Sequence, residues 1–313
     1  MPQKPRVLML LRRAFAFLCV LIALGPMAVA AICWATPHRP LFYLIDIFTL
    51  PALSLTLVMT VAFLALRQPV AAGACAAAAV VFLVALVPQA LPGQPTATPG
   101  KPPLRVVFAN LYIYNPHPER LIAFVQAQKP DIVATVESGE RAHAILMPSL
   151  EAIYPYHYYW GQTSVLSRFP IDNPVHSPDE MSLVTAAIET PSGVVHLGVS
   201  HFAEPLPLRH NLQGEQADFF EANAALPGQR NTLIVGDFNS DFSAFRLQDM
   251  AKDLGLHALG APSGSWPTFM PSFFRIAIDN AMAGPAWRLS DRVVSGSFGS
   301  DHRAIAFTVR AAG

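Results

Sequence analysis

Charged side chains are scarce in this sequence, and they are unevenly spread. Only 13% of the 313 residues are Asp, Glu, Lys or Arg, whereas about 25% is usual for a soluble domain. Residues 14–98 hold three of them, Arg39, Asp46 and Arg67, while residues 99–313 hold 35. The chain is therefore too apolar to be one soluble domain. It joins two physically different regions, and the first is expected to meet lipid.

Positive charge and cysteine are the next shortages. Residues 99–313 contain 20 acidic and 15 basic side chains, so no bulk positive field exists there to hold duplex nucleic acid. This excludes a basic, sequence-reading DNA-binding protein. The three cysteines, Cys19, Cys33 and Cys75, all lie in the apolar N-terminal third. The polar region therefore has neither a disulfide nor a thiolate metal site, and it contains no P-loop motif.

Three long apolar runs fill residues 1–91, and they cover residues 14–35, about 48–66 and about 70–91. At 1.5 Å per residue, the first run is long enough to cross a hydrocarbon core of about 30 Å. We therefore expect three transmembrane helices that anchor the protein in a lipid bilayer, with a hairpin turn at Arg67. The alternative for the first run is a cleavable signal peptide, because Ala28-Val29-Ala30 resembles a small-residue cleavage site.

Basic residues predict the orientation of these helices. Those before the first run or between the second and third are Lys4, Arg6, Arg12, Arg13 and Arg67, and those on the other side are Arg39, Lys101 and Arg105. The positive-inside rule places the N-terminus in the cytoplasm. Three crossings then put the chain after Leu91 in the periplasm or outside the cell, as in a multi-pass protein of the inner (plasma) membrane. Residues 92–103, with five prolines, are expected to be an extended linker to a polar domain, residues 104–313.

Four apolar runs of the polar domain end in side chains that bind metals or transfer protons. Their alternation with amphipathic stretches predicts a mixed α/β domain. The runs are RVVFAN, DIVATVE, VVHLGVSH and TLIVGDFN, and the side chains at their ends are Asn110, Glu137, His201, Asp237 and Asn239. Any one of these alone is more simply a cap or a solvated rim residue. Asp237 and Asn239, two apart on a strand, point to one face, and Gly236 beside them allows close backbone approach. This pair indicates a site.

The C-terminal end adds an acid and an imidazole. PSFFRIAIDNAM holds Asp279 in an apolar strand, and GSFGSDHRAIAFTV presents Asp301 and His302 on a Gly/Ser loop before another strand. A buried carboxylate fixes the tautomer of a histidine and raises its basicity. The adjacent carboxylate remains free to bind a hard cation.

The ordered segments NLY, VES, SHF, GDFN, IDN and SDHR resemble the endonuclease/exonuclease/phosphatase superfamily, over about residues 104–310. The resemblance implies a two-sheet α/β sandwich with its site where strand ends of both sheets converge. SVLSRFP looks like the family's strand that places an arginine, here Arg168, near the site, and SWPTF resembles its Thr-containing segment. Asn280 departs from the family, whose members often carry His or Tyr there, and this puts a substrate contact in question.

The resemblance also implies the role of each residue. Glu137 would be the principal ligand of Mg²⁺, or of Mn²⁺, with Asn110 and Asp301 as its partners, either directly or through water. His302, held by Asp279, would transfer a proton and contact the phosphate. The other expected roles are orienting or deprotonating water for Asp237, hydrogen bonding to the reaction centre for Asn239, and stabilising developing charge for His201. Which of Asp237 and His302 is the general base stays open.

These features predict a membrane-anchored, Mg²⁺-dependent phosphoesterase that hydrolyses a phosphodiester or phosphomonoester outside the cytoplasm. Its substrate would be a phospholipid headgroup, a nucleic acid or a small phosphoester, and no obligate protein partner is inferred. One alternative is an extracytoplasmic nuclease acting on DNA or RNA, against which stand the acidic domain and its few lysines. The other is a membrane protein that binds phospholigands without turnover.

Overall fold

The computed structural model describes residues 4–35, 47–178, 182–204, 212–223, 230–242, 244–261 and 263–313. Arg39 and Asp46, two of the sparse charges of the N-terminal third, lie outside these ranges. The first third forms three helices, α1 (Lys4–Ala35), α2 (Thr49–Ala65) and α3 (Pro69–Ala90). A helix therefore occupies each of the three apolar runs.

Two of these helices are long and apolar enough to cross a bilayer, rather than the expected three. Their apolar stretches are Met9–Ile32, with 24 residues, and Pro69–Val87, with 19 residues. The 17 residues of α2 span about 26 Å, which is less than a hydrocarbon core of about 30 Å. The middle helix is therefore at the lower limit for a span.

The helices pack as a small bundle with defined directions. Cys19 of α1 packs with Cys75 of α3, and Ala30, farther along α1, packs with Phe82, farther along α3. Thus α1 and α3 run parallel. The end of α2 joins the first of these clusters and its start joins the second, so α2 runs antiparallel to both. Arg67, between α2 and α3, lies at the same end of the bundle as the start of α1.

Within the described residues, the polar domain has two six-stranded sheets. The strands are β1 (Leu104–Asn110), β2 (Ile132–Val136), β3 (Tyr156–Trp160), β4 (Thr163–Ser167), β5 (Ile171–His176), β6 (Val184–Thr190), β7 (Gly193–His201), β8 (Thr232–Asp237), β9 (His257–Ala258), β10 (Asp279–Ala283), β11 (Trp287–Val294) and β12 (Ile305–Ala311). The order is β11-β12-β1-β2-β4-β3 in the first sheet and β5-β6-β7-β8-β10-β9 in the second.

Helices cover the outer faces of the two sheets. They are α4 (Arg120–Gln128), α5 (Glu140–Glu151), α6 (Leu212–Asn223) and α7 (Phe245–Asp253). The inner faces form one core, in which Phe108 and Phe307 of the first sheet join Val199 and Val235 of the second. Separate clusters hold α4 and α5 on the first sheet and α6 and α7 on the second. The predicted two-sheet α/β sandwich is confirmed.

The strand directions bring the polar strand ends together. In the first sheet β1 is parallel to β2, and in the second β7 is parallel to β8. Their carboxyl ends therefore lie at the same edge of each sheet. Strand β10 runs antiparallel to β8 and pairs Asp279 with Asp237. Gly236 makes this edge close-packed, because a Cβ there would lie 1.8 Å from the hydroxyl of Ser200.

The Pro-rich segment, residues 92–103, is extended but lies along the polar domain. Gln94 donates a hydrogen bond to the carbonyl of Ala258 at 2.7 Å, and the amide of Thr98 donates to the carbonyl of Ala311 at 2.8 Å. Lys101 reaches the carbonyl of Ser192 at 3.0 Å. The segment is therefore held along the polar domain by hydrogen bonds instead of forming a free tether.

Candidate active site

Asn110 connects the two sheets at the converging strand ends. It is the last residue of β1 and is buried. Its Oδ1 accepts a hydrogen bond from the amide of Tyr112 at 2.9 Å, which orients the amide group. Its Nδ2 then donates to Oε1 of Glu137 at 2.7 Å and to Oδ2 of Asp237 at 3.0 Å. One side-chain amide thus holds a carboxylate from each sheet.

Glu137, His201 and Asp237 form a group able to hold a metal ion. Each offers one ligand atom, and these atoms all lie within 4.8 Å of one another. Oε1 of Glu137 is 3.4 Å from Nε2 of His201. Glu137 has a φ of 50°, because it follows the end of β2 where the chain turns. His201, expected to stabilise developing charge, therefore lies beside the predicted principal metal ligand.

His302 and Asp279 form a buried pair. Nδ1 of His302 lies 2.9 Å from Oδ2 of Asp279, and Nε2 lies 3.7 Å from Oδ2 of Asp237. The loop is held by Ser300, whose hydroxyl accepts a hydrogen bond from the amide of His302 at 3.0 Å. The same hydroxyl donates to the carbonyl of Asn110 at 2.9 Å. The imidazole is thus fixed between two carboxylates.

The pKa values of His302 and Asp237 are shifted by their surroundings. Burial lowers the pKa of His302, but the carboxylates of Asp279 and Asp237 outweigh it and raise that pKa to about 10. Burial raises the pKa of Asp237 to about 6, although His302 acts to lower it. In the protein without metal, the imidazole of His302 is therefore a cation at neutral pH, and the pKa of Asp237 lies close to neutral pH.

Asp301 occupies a different place from the other carboxylates. Its Oδ2 accepts a hydrogen bond from Nε1 of Trp266 at 3.0 Å, and it belongs to neither cluster of metal-capable groups found among the described residues. Its buried Oδ1 has no hydrogen-bond partner within the part of the chain that the structure describes. Asp301 is therefore oriented, with one oxygen left to bind a ligand.

Asn239 is fixed at the end of the GDFN segment. Its φ is 46°, and its backbone amide donates to Oδ1 of Asp237 at 2.8 Å. Its Nδ2 donates to the carbonyl of Phe202 at 2.7 Å. The side chain that was expected to bond the reaction centre thus already has one partner in the protein.

Most of the predicted residues line one cavity of about 410 Å³. Those that line it are Glu137, His201, Asp237, Asn239, Asp301 and His302. Asn110 and Asp279 are joined to it by the hydrogen bonds described above. All eight predicted residues therefore meet at one place, and their individual roles stay predictions.

The arginine expected near the site lies elsewhere. Strand β4 pairs antiparallel with β2, and Ser167 opposes Ile132 at the start of β2. Arg168 therefore emerges at the opposite end of β2 from Glu137. Its guanidinium lies 5.9 Å from the ring centre of Tyr154. The expectation for SVLSRFP is wrong because strand direction, which the motif does not reveal, decides which end faces the site.

Asn280 lies on the other face of its strand from Asp279, since successive strand residues alternate. It is buried, and its Oδ1 accepts a hydrogen bond from the amide of Ala281 at 2.8 Å.

Two residues that the sequence analysis did not single out support the site. They are Trp266, on Asp301, and Ser265, whose hydroxyl accepts from the amide of Asp279 at 3.3 Å. The SWPTF motif was the available signal for both.

The donor set fits a hard divalent cation. Carboxylate oxygens of Glu137, Asp237 and Asp301 face one cavity, and hard cations prefer oxygen ligands. The unpartnered Oδ1 of Asp301 is a buried acceptor of the kind that such a cation satisfies.

A model of the endonuclease/exonuclease/phosphatase family matches residues 107–302. No curated protein matches the sequence. Among solved structures, an endonuclease/exonuclease/phosphatase from Beutenbergia cavernae is 21% identical with a TM-score of 0.53, covering 67% of this chain and 72% of that one. A truncated TDP2 from Caenorhabditis elegans is 20% identical with a TM-score of 0.52, covering 67% and 98%.

A variant beta toxin from Staphylococcus aureus, solved with bound magnesium ions, is also similar. It is 16% identical with a TM-score of 0.53, and the match covers 67% of this chain and 100% of the toxin. At these identities the likeness to solved structures establishes the fold alone.

Proposed function

Because the chain belongs to the endonuclease/exonuclease/phosphatase family, whose members are metal-dependent hydrolases of phosphoester bonds, we propose that it is a membrane-anchored, Mg²⁺-dependent phosphoesterase. The observation that supports this best is the position of the His302–Asp279 pair, 2.9 Å apart, beside the Glu137 and Asp237 carboxylates that Asn110 holds together. Such a site contains both cation ligands and a proton-transfer group in one cavity.

Glu137 and Asp301 would hold the cation, with His201 beside Glu137, and Asn110, whose Nδ2 donates to Glu137 at 2.7 Å, would orient that carboxylate. When bound, Mg²⁺ would stabilise negative charge on the phosphoryl oxygens. The cationic imidazole of His302 would contact the phosphate and stabilise the charge that develops on it. Asp279 would keep the imidazole oriented, and Asn239 would position Asp237 through its backbone amide.

Asp237 would accept the proton of the attacking water. Its raised pKa, about 6, makes it a stronger base than an ordinary aspartate, and a general base works best when its pKa is near the operating pH. His302, with a pKa raised to about 10, already carries its proton and would serve as the acid for the leaving oxygen. We therefore assign the base to Asp237 and the acid to His302.

The packing of the helices supports the membrane part of the proposal. Since α1 and α3 run parallel, a chain that crosses the bilayer in both must return between them, and α2 runs in that direction. The polar domain contacts the start of α2 and the end of α3, at the bundle end away from Arg67. With the basic end in the cytoplasm, the domain would face the periplasm or exterior.

The test is hydrolysis of bis(4-nitrophenyl) phosphate by the full-length protein in detergent micelles, with Mg²⁺ and with EDTA. We expect activity that EDTA abolishes and that Glu137→Gln lowers by about 10²-fold or more. Glu140→Gln, which removes an exposed carboxylate three residues away, is the matched control and should keep full activity. Full activity in EDTA would refute the metal mechanism, and plasmid cleavage at a comparable rate would favour the nuclease.

A further inference from the structure

One wall of the cavity comes from the membrane region. Ile47 and Phe48, the two residues before α2, line it together with the catalytic-site residues. Ile47 is buried in a cluster with Ile276 and Ile278, against which Trp266 packs. These three polar-domain residues also line the cavity. An apolar surface therefore runs from the start of α2 to the side chains of His302 and Asp237, which also line the cavity.

A segment rich in exposed aromatic residues lies beside the same helix. Phe269 is 80% exposed and Phe273 is 55% exposed, and the backbone carbonyl of Phe273 accepts a hydrogen bond from the hydroxyl of Ser54, in the second turn of α2, at 2.6 Å. Large exposed aromatic side chains are unfavourable in water but favourable at the bilayer interface. This segment is therefore placed where it would contact the lipid surface.

Charge in the cavity argues against a polyanionic substrate. Among the described residues that line it, there is no Lys or Arg, and there are four acidic side chains, those of Glu137, Glu204, Asp237 and Asp301. Nucleic acids are held by neutralising successive phosphates with basic side chains. This cavity instead offers a site for one phosphate, next to an apolar wall.

We infer that the substrate is a membrane phospholipid, whose phosphate reaches the site from the bilayer while its acyl chains remain against Ile47, Phe48 and the exposed phenylalanines. This rests on the proposed function and specifies its substrate class. In the reaction, the oxygen of one water forms a bond to phosphorus and one phosphoester bond breaks. A proton of the water passes to Asp237, and the leaving oxygen receives one from His302.

The inference is tested with a series of 4-nitrophenyl phosphodiesters whose second ester group is methyl, butyl or octyl. The full-length protein is assayed in dodecyl maltoside micelles below the aggregation concentration of each ester. An apolar wall beside the phosphate should raise kcat/KM by about two- to fourfold for each of the first added methylenes. Absence of hydrolysis for every ester would refute the proposed function, whereas equal kcat/KM for all three would overturn only the lipid assignment.

Two variants distinguish the wall from general apolar attraction. Phe48→Ser should reduce the ratio of butyl to methyl kcat/KM, and this ratio does not depend on the amount of folded enzyme. Tyr156→Ser is the control, because Tyr156 is a 41% exposed aromatic residue at the start of β3, where it pairs with Ser167, far from the site; it should leave the ratio unchanged. An unchanged ratio for Phe48→Ser, or an equal fall for Tyr156→Ser, would contradict the wall.

A change of surroundings distinguishes bilayer lipid from a soluble amphiphile. When the protein is moved from dodecyl maltoside into nanodiscs of phosphatidylethanolamine and phosphatidylglycerol, lipid phosphate should compete for the site. The KM of the methyl ester should therefore rise, and ³¹P NMR should show a new phosphate-containing product. An unchanged KM without such a product would show that bilayer lipids do not reach the site, and would overturn the inference.

Discussion

The Nδ1 atom of His302 lies 2.9 Å from Oδ2 of Asp279, and the two residues are 23 positions apart in the chain. Asp279 begins β10 and His302 lies on the loop before β12, so the pair links the two sheets at the edge where their polar strand ends meet. Both side chains are buried. Removing either side chain therefore leaves the other buried without its hydrogen-bond partner.

His302 and Asp279 should behave as one functional unit. His302→Ala and Asp279→Asn should each lower kcat by about 10² to 10⁴, the range for a positioned acid or base. The double variant should be little worse than His302→Ala alone, because a carboxylate without an imidazole has nothing to orient. The check is a double-mutant cycle of kcat with the chromogenic diester. Fully multiplicative losses would show that the two residues act independently.

The pKa of His302 should fall when Asp279 is neutralised. The carboxylate attracts the imidazolium, so Asp279→Asn removes one of the interactions that raise this pKa to about 10. NMR titration of the imidazole in protein kept metal-free with EDTA measures the change. Asp291→Asn, at an exposed residue of β11, should leave the pKa unchanged. A His302 pKa that stays equally high in Asp279→Asn would contradict the pairing.

The raised pKa also predicts how stability depends on pH. The folded state binds the His302 proton more tightly than the unfolded chain does, and this difference stabilises the folded state. The stabilisation is fully present below about pH 6.5, the ordinary histidine pKa, and is lost as the pH rises towards about 10. The difference in Tm between the wild type and His302→Gln, measured in EDTA, should therefore shrink as the pH rises through this window. A difference that grew with pH would contradict the sign of the shift.

Asp301 should affect cation affinity more than the chemical step. Its Oδ2 is held by Trp266 and its Oδ1 is free to bind within the described site, so Asp301→Asn should raise the Mg²⁺ concentration for half-maximal activity by about 10- to 100-fold. Trp266→Phe, which removes only the orienting hydrogen bond, should cause a smaller rise in the same direction. Activity measured against Mg²⁺ concentration provides the check. An unchanged Mg²⁺ dependence in Asp301→Asn would remove it from the ligand set.

A reporter fused after Leu91 should be active only on the non-cytoplasmic side, because α1 and α3 run parallel and the basic end of the bundle is expected in the cytoplasm. Alkaline phosphatase should be active there and a fluorescent protein should be dark. Protease added to spheroplasts should cut residues 92–103 slowly, because this segment is hydrogen-bonded along the domain. A bright fluorescent fusion at this point would refute the three-crossing topology.

The fold class and the identities of the candidate residues follow from patterns in the sequence. Strand periodicity, the polar residues at the ends of apolar runs and the order GDFN, IDN and SDHR are local patterns. The physics of strands turns them into side chains at a common edge. The same is true of the apolar runs that became helices, because length and hydropathy are also local.

Contacts between residues far apart in the sequence became known from the packing of the folded chain. This packing removed Arg168 from the site through the direction of β4, gave Asp301 its partner Trp266, and laid the Pro-rich segment against the domain. It also brought Ile47 and Phe48, the two residues before α2, into the wall of the cavity. Such contacts depend on how the sheets and helices pack against each other. The free energy of that packing is a sum over the whole core, so no single segment of sequence predicts it.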